Sequence, residues 1–345
     1  MLEVKNISKY YGETMAIENI SFKAEKGQIV GLVGHNGSGK STTMNIITNC
    51  LTPSGGDVLV DGISVTADPI GAKRKIGYLP EIPPVYPDMT VDEQLSFACA
   101  LRSISGNAKK EQIEKACEGL NITGVRKRLI KNLSKGYRQR VGFASALVGN
   151  SDVLILDEPT VGLDPNQIIE IRNLIAKLGK NHTIILSSHI LSEIEAVCKR
   201  VIILNRGQII ADDTAENLSK TLSNDHSVTV RITGSEADML KALESVKGVK
   251  SVAPLGSLEK GSYDFTVTPE DGCDIRAGVF ERITERGRTA LSLSSNELSL
   301  EQIFLRLTSA ANNDEARKML GIEALEQPEE AAEAEVTEES EEDKE

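Results

Sequence analysis

A chain of 345 residues, 40 % of them hydrophobic, is long enough for two domains with sizeable cores. Its formal charge of −12 gathers at one end: twelve of the 51 acidic residues, against a single lysine, fall between Ile322 and Glu345. The rest is near neutral, which argues against a dedicated nucleic-acid binder, and no apolar run approaches the ~18 residues of a membrane span.

The first residues, MLEVKNISKYYG, lack the apolar stretch of a signal peptide. Five scattered cysteines, with no C-x-x-C pair, read as reduced thiols rather than as a disulfide frame or a zinc site. Both features lead us to expect a cytoplasmic protein. Three strands open the chain, LEVKNISKYY, AIENISFKAE and GQIVGLVG, with turns at Gly12 and Gly27. The third runs into GLVGHNGSGKST and a helix, KSTTMNIITNCL. Gly34, Gly39, Lys40 and Ser41 stand in the spacing G-x-x-x-x-G-K-[ST]. Such glycines let backbone N–H groups curl around phosphate oxygens, and the helix adds its positive end. Lys40 then reaches the β- and γ-phosphates, and the Ser41 hydroxyl ligates Mg²⁺. The sequence therefore predicts a nucleotide site.

GGDVLVDGISV reads as a hairpin turning at Asp61 and Gly62, and residues from about 91 to 150 are mostly helical in pattern. Within them, NLSKGYRQRVGFASALVG carries Lys135, Arg138 and Arg140 around Ser134 and Gly136, just before an apolar helical run. On its own the stretch is equally a basic patch, a solvated helix start or half of a phosphate site. DVLILDEP is a short apolar strand of the kind buried on both faces. It delivers Asp157, suited to hold Mg²⁺, and Glu158, which as a general base would polarise an attacking water. Asp164 caps a helix with Pro165 in its first turn. Another strand, TIIL, passes through SSH, ending at His189, into a helix ILSEIEAVCKR. Strands alternating with helices predict an α/β fold with a mainly parallel sheet.

Beyond residue 225 the order becomes β-α-β-β-α-β: HSVTVRI, EADMLKALESV, VKSVAPL, SYDFTVT, DIRAGVFERITERG and TALSLSS. This predicts a small α+β, ferredoxin-like unit, closed by the amphipathic helix SLEQIFLRLTSA. The Glu- and Ala-rich end is expected to be a disordered, solvated tail.

Taken in order, Tyr11, GHNGSGKS, GYLPE, LSKGYRQR, ILDEP, GLD and SSH resemble the motif set of the ATP-binding cassette (ABC) ATPases, over residues 2 to about 220. The resemblance implies a P-loop NTPase cassette: a mainly parallel sheet with an antiparallel β subdomain and a helical subdomain. It implies that Tyr11 stacks on adenine and that Gly34, His35, Asn36, Gly37, Ser38, Gly39, Lys40, Ser41 and Thr42 hold the phosphates of ATP. Asp157 and Glu158 become the Walker B acid and catalytic base, Asp164 the end of the D-loop and His189 the switch histidine. LSKGY falls at the family signature, usually L-S-G-G-Q, which caps the γ-phosphate bound by the opposite subunit through Ser134 and Gly136. Two positions depart from that pattern, Lys135 for Gly and Tyr137 for Gln. Glu81 stands where the family usually has Gln, and with Ser41 and Asp157 it completes the expected Mg²⁺ set.

Cassettes of exporters with a separate membrane subunit are similar in Glu81, LSKGYRQR and a C-terminal extension ending like LSLEQIFLRLT. The resemblance thus implies an ATPase subunit, expected as a homodimer, on the inner face of a membrane beneath an integral permease and without nucleic acid. The helical stretch at roughly 82 to 150 is expected to receive that permease. The expected units are a cassette over 1–220, a βαββαβ accessory domain over 226–310 and the acidic tail over 312–345. Two alternatives remain open: an importer ATPase with a C-terminal regulatory domain, and a soluble ABC ATPase outside transport.

Overall fold

The computed structural model describes residues 1–222, 227–257, 259, 261–270, 273–295 and 299–310. The acidic tail expected from residue 312 onward lies outside the described residues. Strands β1 (Leu2–Tyr11) and β2 (Thr14–Ala24) pair antiparallel, turning through Gly12 at φ 61°. Strand β3 (Ile29–Val33) leads to helix α1 (Lys40–Ile47). Then β4 (Gly55–Val60) and β5 (Ile63–Ser64) form the expected hairpin. Asp61 and Gly62 sit there at φ 47° and 81°, the left-handed pair that a two-residue turn between antiparallel strands requires. Strand β4 pairs with the other edge of β1, giving a four-stranded sheet in the order β2-β1-β4-β5.

Helix α2 (Pro69–Lys75), capped by Asp68, feeds β6 (Ile76–Leu79). The helical region comprises α3 (Val91–Leu101), α4 (Gly106–Gly119) and α5 (Lys135–Leu147). A reciprocal capping box between Thr90 and Glu93 starts α3. Next come β7 (Val153–Leu156), α6 (Pro165–Leu178), β8 (Thr183–Ser187), α7 (Leu191–Val197), β9 (Arg200–Asn205) and β10 (Gln208–Asp213). They build a six-stranded sheet in the order β10-β9-β3-β8-β7-β6, parallel except for β10. Every residue of β7 and β8 is buried, because layers cover both faces of the sheet. Parallel strands end on one edge, so the segments after β3, β7 and β8 converge there.

The structure corrects one local reading in this sheet. The helix expected over Ile190–Arg200 ends at Val197, since Arg200 is already in β9, pairing with Val30 of β3 and clamping Asp212 with two hydrogen bonds. The β9–β10 hairpin adds an antiparallel edge that the alternation of strands and helices does not anticipate. Its turn, Arg206 and Gly207, is again left-handed at both residues.

Helix α8 (Ala215–Leu222) precedes β11 (Val228–Thr233), α9 (Glu236–Glu244), β12 (Val249–Gly256), β13 (Ser262–Pro269), α10 (Arg276–Glu285) and β14 (Ala290–Ser295). The four strands form an antiparallel sheet in the order β12-β13-β11-β14. Val230, Ile232, Phe265 and Val267 of this sheet share a core with Met239 and Leu243 of α9 and Val279 and Ile283 of α10. Helix α11 (Leu300–Ala310) does not close this unit as expected. Its apolar stripe, Leu300, Ile303, Phe304 and Leu307, joins the core of the larger unit beside Ile194, Val201 and Ile203.

Candidate functional site

Between β3 and α1 the backbone turns through Gly37 at φ 80° and Gly39 at φ 104°, conformations that only glycine adopts without strain. A Cβ on Gly39 would lie 2.4 Å from Ile17 Cγ2, and one on Gly34 would lie 2.6 Å from the Leu204 carbonyl oxygen. The loop is therefore pressed against its surroundings on one side and open on the other. Lys40 opens α1 and donates from Nζ to the carbonyl oxygens of Gly34 (2.7 Å) and His35 (3.1 Å). Burial pulls its ammonium below the ordinary lysine range, with Glu158 and Asp157 opposing. Ser38 Oγ is buried without a hydrogen-bond partner among the described residues. A glycine cradle, a lysine and an unpaired hydroxyl suit a polyphosphate.

The cleft in front of this loop has a volume of about 790 Å³. Asn36, Gly37, Gly39, Lys40, Ser41 and Thr42 line it on one side, and Glu81, Asp157, Glu158 and His189 on the other. Asp157 follows β7 and is largely buried; its backbone N–H donates to the Leu79 carbonyl of β6. Ser187, the last residue of β8, donates from Oγ to Asp157 Oδ1 (2.6 Å) and accepts the backbone N–H of Glu158 (2.9 Å). Glu158 sits at φ 48°. A non-glycine residue held there costs on the order of 1–3 kcal/mol, and such strain concentrates at functional sites. His189 donates from Nδ1 to Glu158 Oε2 at 2.7 Å.

A family model described as "ABC transporter" matches residues 17–161, across the phosphate loop and the two acids. The linearmycin resistance ATP-binding protein LnrL of Bacillus subtilis is 30 % identical over 317 residues, covering 91 % of this chain and all of that one. The bacitracin transport ATP-binding protein BcrA of Enterococcus faecalis is 34 % identical, over 64 % of this chain and 71 % of its own. The chain belongs to the ABC transporter ATP-binding proteins. Among solved structures, the ATP-binding subunit of an ABC transporter superposes with a TM-score of 0.60 at 29 % identity, covering 64 % of this chain and 92 % of that one. The cassette MJ0796, in a dimeric post-hydrolysis state bound to ADP and Pi, gives 0.57 at 26 %, over 62 % and 98 %.

Three further sequence-derived candidates of this ABC cassette, Tyr11, Ser134 and Gly136, are not part of that lining. Ser134 caps α5, its side chain accepting the Tyr137 N–H, and Gly136 packs where a Cβ would strike the Gln167 side chain of α6. Neither residue lines the phosphate cleft. Arg140 is engaged within the fold, paired with Glu170 and donating to the Leu120 carbonyl. Tyr11 is exposed at the end of β1, opposite Thr14; Thr14 rather than Tyr11 lines the cleft. Glu81 is exposed and borders two hollows, the phosphate cleft and a groove with Ile82, Pro83, Val85, Lys135 and Arg138.

Ser187 and Phe304 are among the residues that escaped the sequence reading. Ser187 had a visible cue, a hydroxyl at the strand end in SSH, yet its two bonds to the Asp157–Glu158 pair depend on β7 and β8 being neighbours. Phe304 had none. From α11 it meets the His35 ring edge to face, with centroids 4.7 Å apart, and so braces the back of the phosphate loop. Such contacts contribute about 0.5–1.5 kcal/mol, so Phe304→Ala is expected to weaken ATP binding by roughly two- to tenfold. Titration with a fluorescent ATP analogue measures this; an unchanged affinity would detach α11 from the site.

Proposed function

We propose that this chain binds and hydrolyses ATP as one subunit of an ABC exporter, powering transport through a separate membrane subunit. The observation that carries the hydrolytic part is the placement of Glu158, strained and hydrogen-bonded to His189, across one cleft from Lys40 and Ser41. In this reading Tyr11 stacks on adenine at the rim of the cleft. Residues Gly34 to Thr42 cradle the phosphates, with Lys40 exchanging its carbonyl partners for phosphate oxygens. Ser41, Asp157 and Glu81 hold Mg²⁺. When bound, that ion neutralises charge on the phosphates. Glu158 accepts a proton from the attacking water, and His189 fixes the orientation of that carboxylate. Ser134 and Gly136 of a second copy close the site from the opposite side.

Transport through a separate subunit is supported by the relatives, named for linearmycin resistance and bacitracin transport. Among the described residues no helix is long and apolar enough to cross a membrane, so the proposal places the chain on the inner face, beneath its permease. The groove beside Glu81, with Ile82 82 % exposed, is the proposed seat for the permease. The test is purification of the native complex, identification of the co-purifying membrane protein and transport assays in vesicles of both orientations. Outward, ATP-dependent transport is expected; uptake, or no membrane subunit, overturns the exporter reading. Removing residues 327–345 is expected to leave ATP turnover within about twofold, under roughly 0.4 kcal/mol. A larger loss would place the acidic segment against the cassette or its permease.

A further inference from the structure

Glu193 lies in the first turn of α7 and is only 6 % exposed. The side chains bonded to its Oε2 are both hydroxyls: Thr160 Oγ1 at 2.5 Å and Ser188 Oγ at 3.3 Å. Ser188 Oγ also accepts the Ile190 N–H, so its own proton is directed to Glu193. Those donors come from two different loops. Thr160 lies two residues beyond Glu158, in the turn closed by the Val161 N–H on the Glu158 carbonyl. Ser188 directly precedes His189. One buried carboxylate thus ties the loop that carries Glu158 to the loop that carries its hydrogen-bond partner.

A carboxylate is an expensive way to fill a protein interior, since burial removes its hydration and only strong donors compensate. An apolar side chain would pack α7 more simply. What the carboxylate adds is a single strong acceptor shared by two loops, and the loops it joins hold a backbone at φ 48° that would otherwise relax. Ser187 restrains Glu158 from before, through its N–H; the Glu193–Thr160 bond restrains the same turn from after. Neither Thr160 nor Glu193 lines the phosphate cleft.

We propose that Glu193 is a positioning residue for ATP hydrolysis, holding Glu158 and His189 in register through Thr160 and Ser188. The proposal rests on the reading of Glu158 as general base. It separates two properties that a merely structural role would move together: turnover depends on Glu193, whereas nucleotide binding by the Gly34–Thr42 loop does not.

The experiment uses the full chain and measures kcat, KM for ATP, affinity for a non-hydrolysable ATP analogue, and melting temperature. Misplacing a reacting group by about an ångström can cost a hundredfold, so Glu193→Ala is expected to lower kcat by about ten- to hundredfold and leave analogue affinity within about twofold. Glu193→Gln keeps an acceptor oxygen for Thr160 and is expected to recover most of the loss. Thr160→Val removes the donor with little change of shape, and keeps the test informative if Glu193→Ala folds poorly. It should reproduce the kcat defect, and the double variant should be no worse than either single one, as members of one interaction behave. Glu193→Ala or Thr160→Val with wild-type kcat overturns the proposal. So do additive losses, or kcat and analogue affinity falling together without rescue by Gln. A Glu158→Gln control separates the two levels. If that variant hydrolyses like wild type, the base reading fails and takes this proposal with it. If it is inactive while Glu193→Ala is fully active, this proposal alone fails.

Discussion

Glu158→Gln is expected to bind ATP at least as well as the wild type and to lose turnover by about 10²–10⁴-fold, the usual worth of a positioned general base. The replacement changes little else. An amide of the same shape still offers His189 Nδ1 an acceptor oxygen, and the backbone N–H of residue 158 still reaches Ser187 Oγ. The main-chain bonds around the φ 48° backbone, the residue 158 N–H on Ser187 Oγ and the Val161 N–H on the residue 158 carbonyl, do not involve the carboxylate. What disappears is the ability to take a proton from water, together with a negative charge that shares the cleft with the phosphates. Removing that charge favours the triphosphate, so affinity should hold or rise. If opening of a closed dimer waits on hydrolysis, the variant should accumulate as an ATP-bound dimer. Phosphate release and size-exclusion chromatography with ATP and Mg²⁺ read both consequences. Turnover near the wild-type rate would remove Glu158 from the base role.

The parts of this cassette legible in the sequence are those whose reasons are local. The phosphate loop is written in consecutive residues because its glycines answer to their own φ values and its lysine opens the next helix. Strands β7 and β8 are legible because burial on both faces gives each a continuous apolar run, Val153–Leu156 and Ile184–Leu186, and Asp164 and Pro165 announce α6 through the chemistry of a helix start. What stayed hidden depends on which strands become neighbours. Lys199 and Arg200 continue a helical pattern, and only the pairing of Val30 with Arg200 shows that the chain has already entered β9. The same holds for the bonds of Ser187 to Asp157 and of Glu193 to Thr160, which span 30 and 33 residues of chain. Phe304 is the extreme case. Its spacing on α11 announces an amphipathic helix, but nothing in the sequence indicates that the apolar stripe serves the larger core and the back of the phosphate loop instead of the unit before it.

Chains carrying Ser134→Arg and chains carrying Lys40→Ala are each expected to be inactive alone and to recover ATP-driven association and turnover when mixed. The reason is positional. Lys40 faces the phosphate cleft, whereas Ser134 and Gly136 stand at the N-terminus of α5, packed on α6 through Gln167, and line no part of that cleft. A helix start with a free face suits a phosphate oxygen, and within one chain Ser134 and Gly136 lie outside the cleft that would hold one. A second copy can bring it there, and the similar MJ0796 cassette has been solved as a dimer. Lys40→Ala removes the ammonium from the phosphate loop. Ser134→Arg places a bulky cation at the helix start and also deletes a cap worth about 0.5–2 kcal/mol, so a melting curve must first show that the variant is folded. In a mixed dimer one site then joins an intact phosphate loop to an intact signature, while the other joins two damaged halves. With random pairing in a symmetric dimer, an equal mixture should regain roughly a quarter of wild-type sites. ADP lacks the γ-phosphate that would bridge the two chains in this arrangement and should restore no association. If Ser134 instead acted on nucleotide bound by its own chain, every site in the mixture would keep one defect, and mixing would recover nothing.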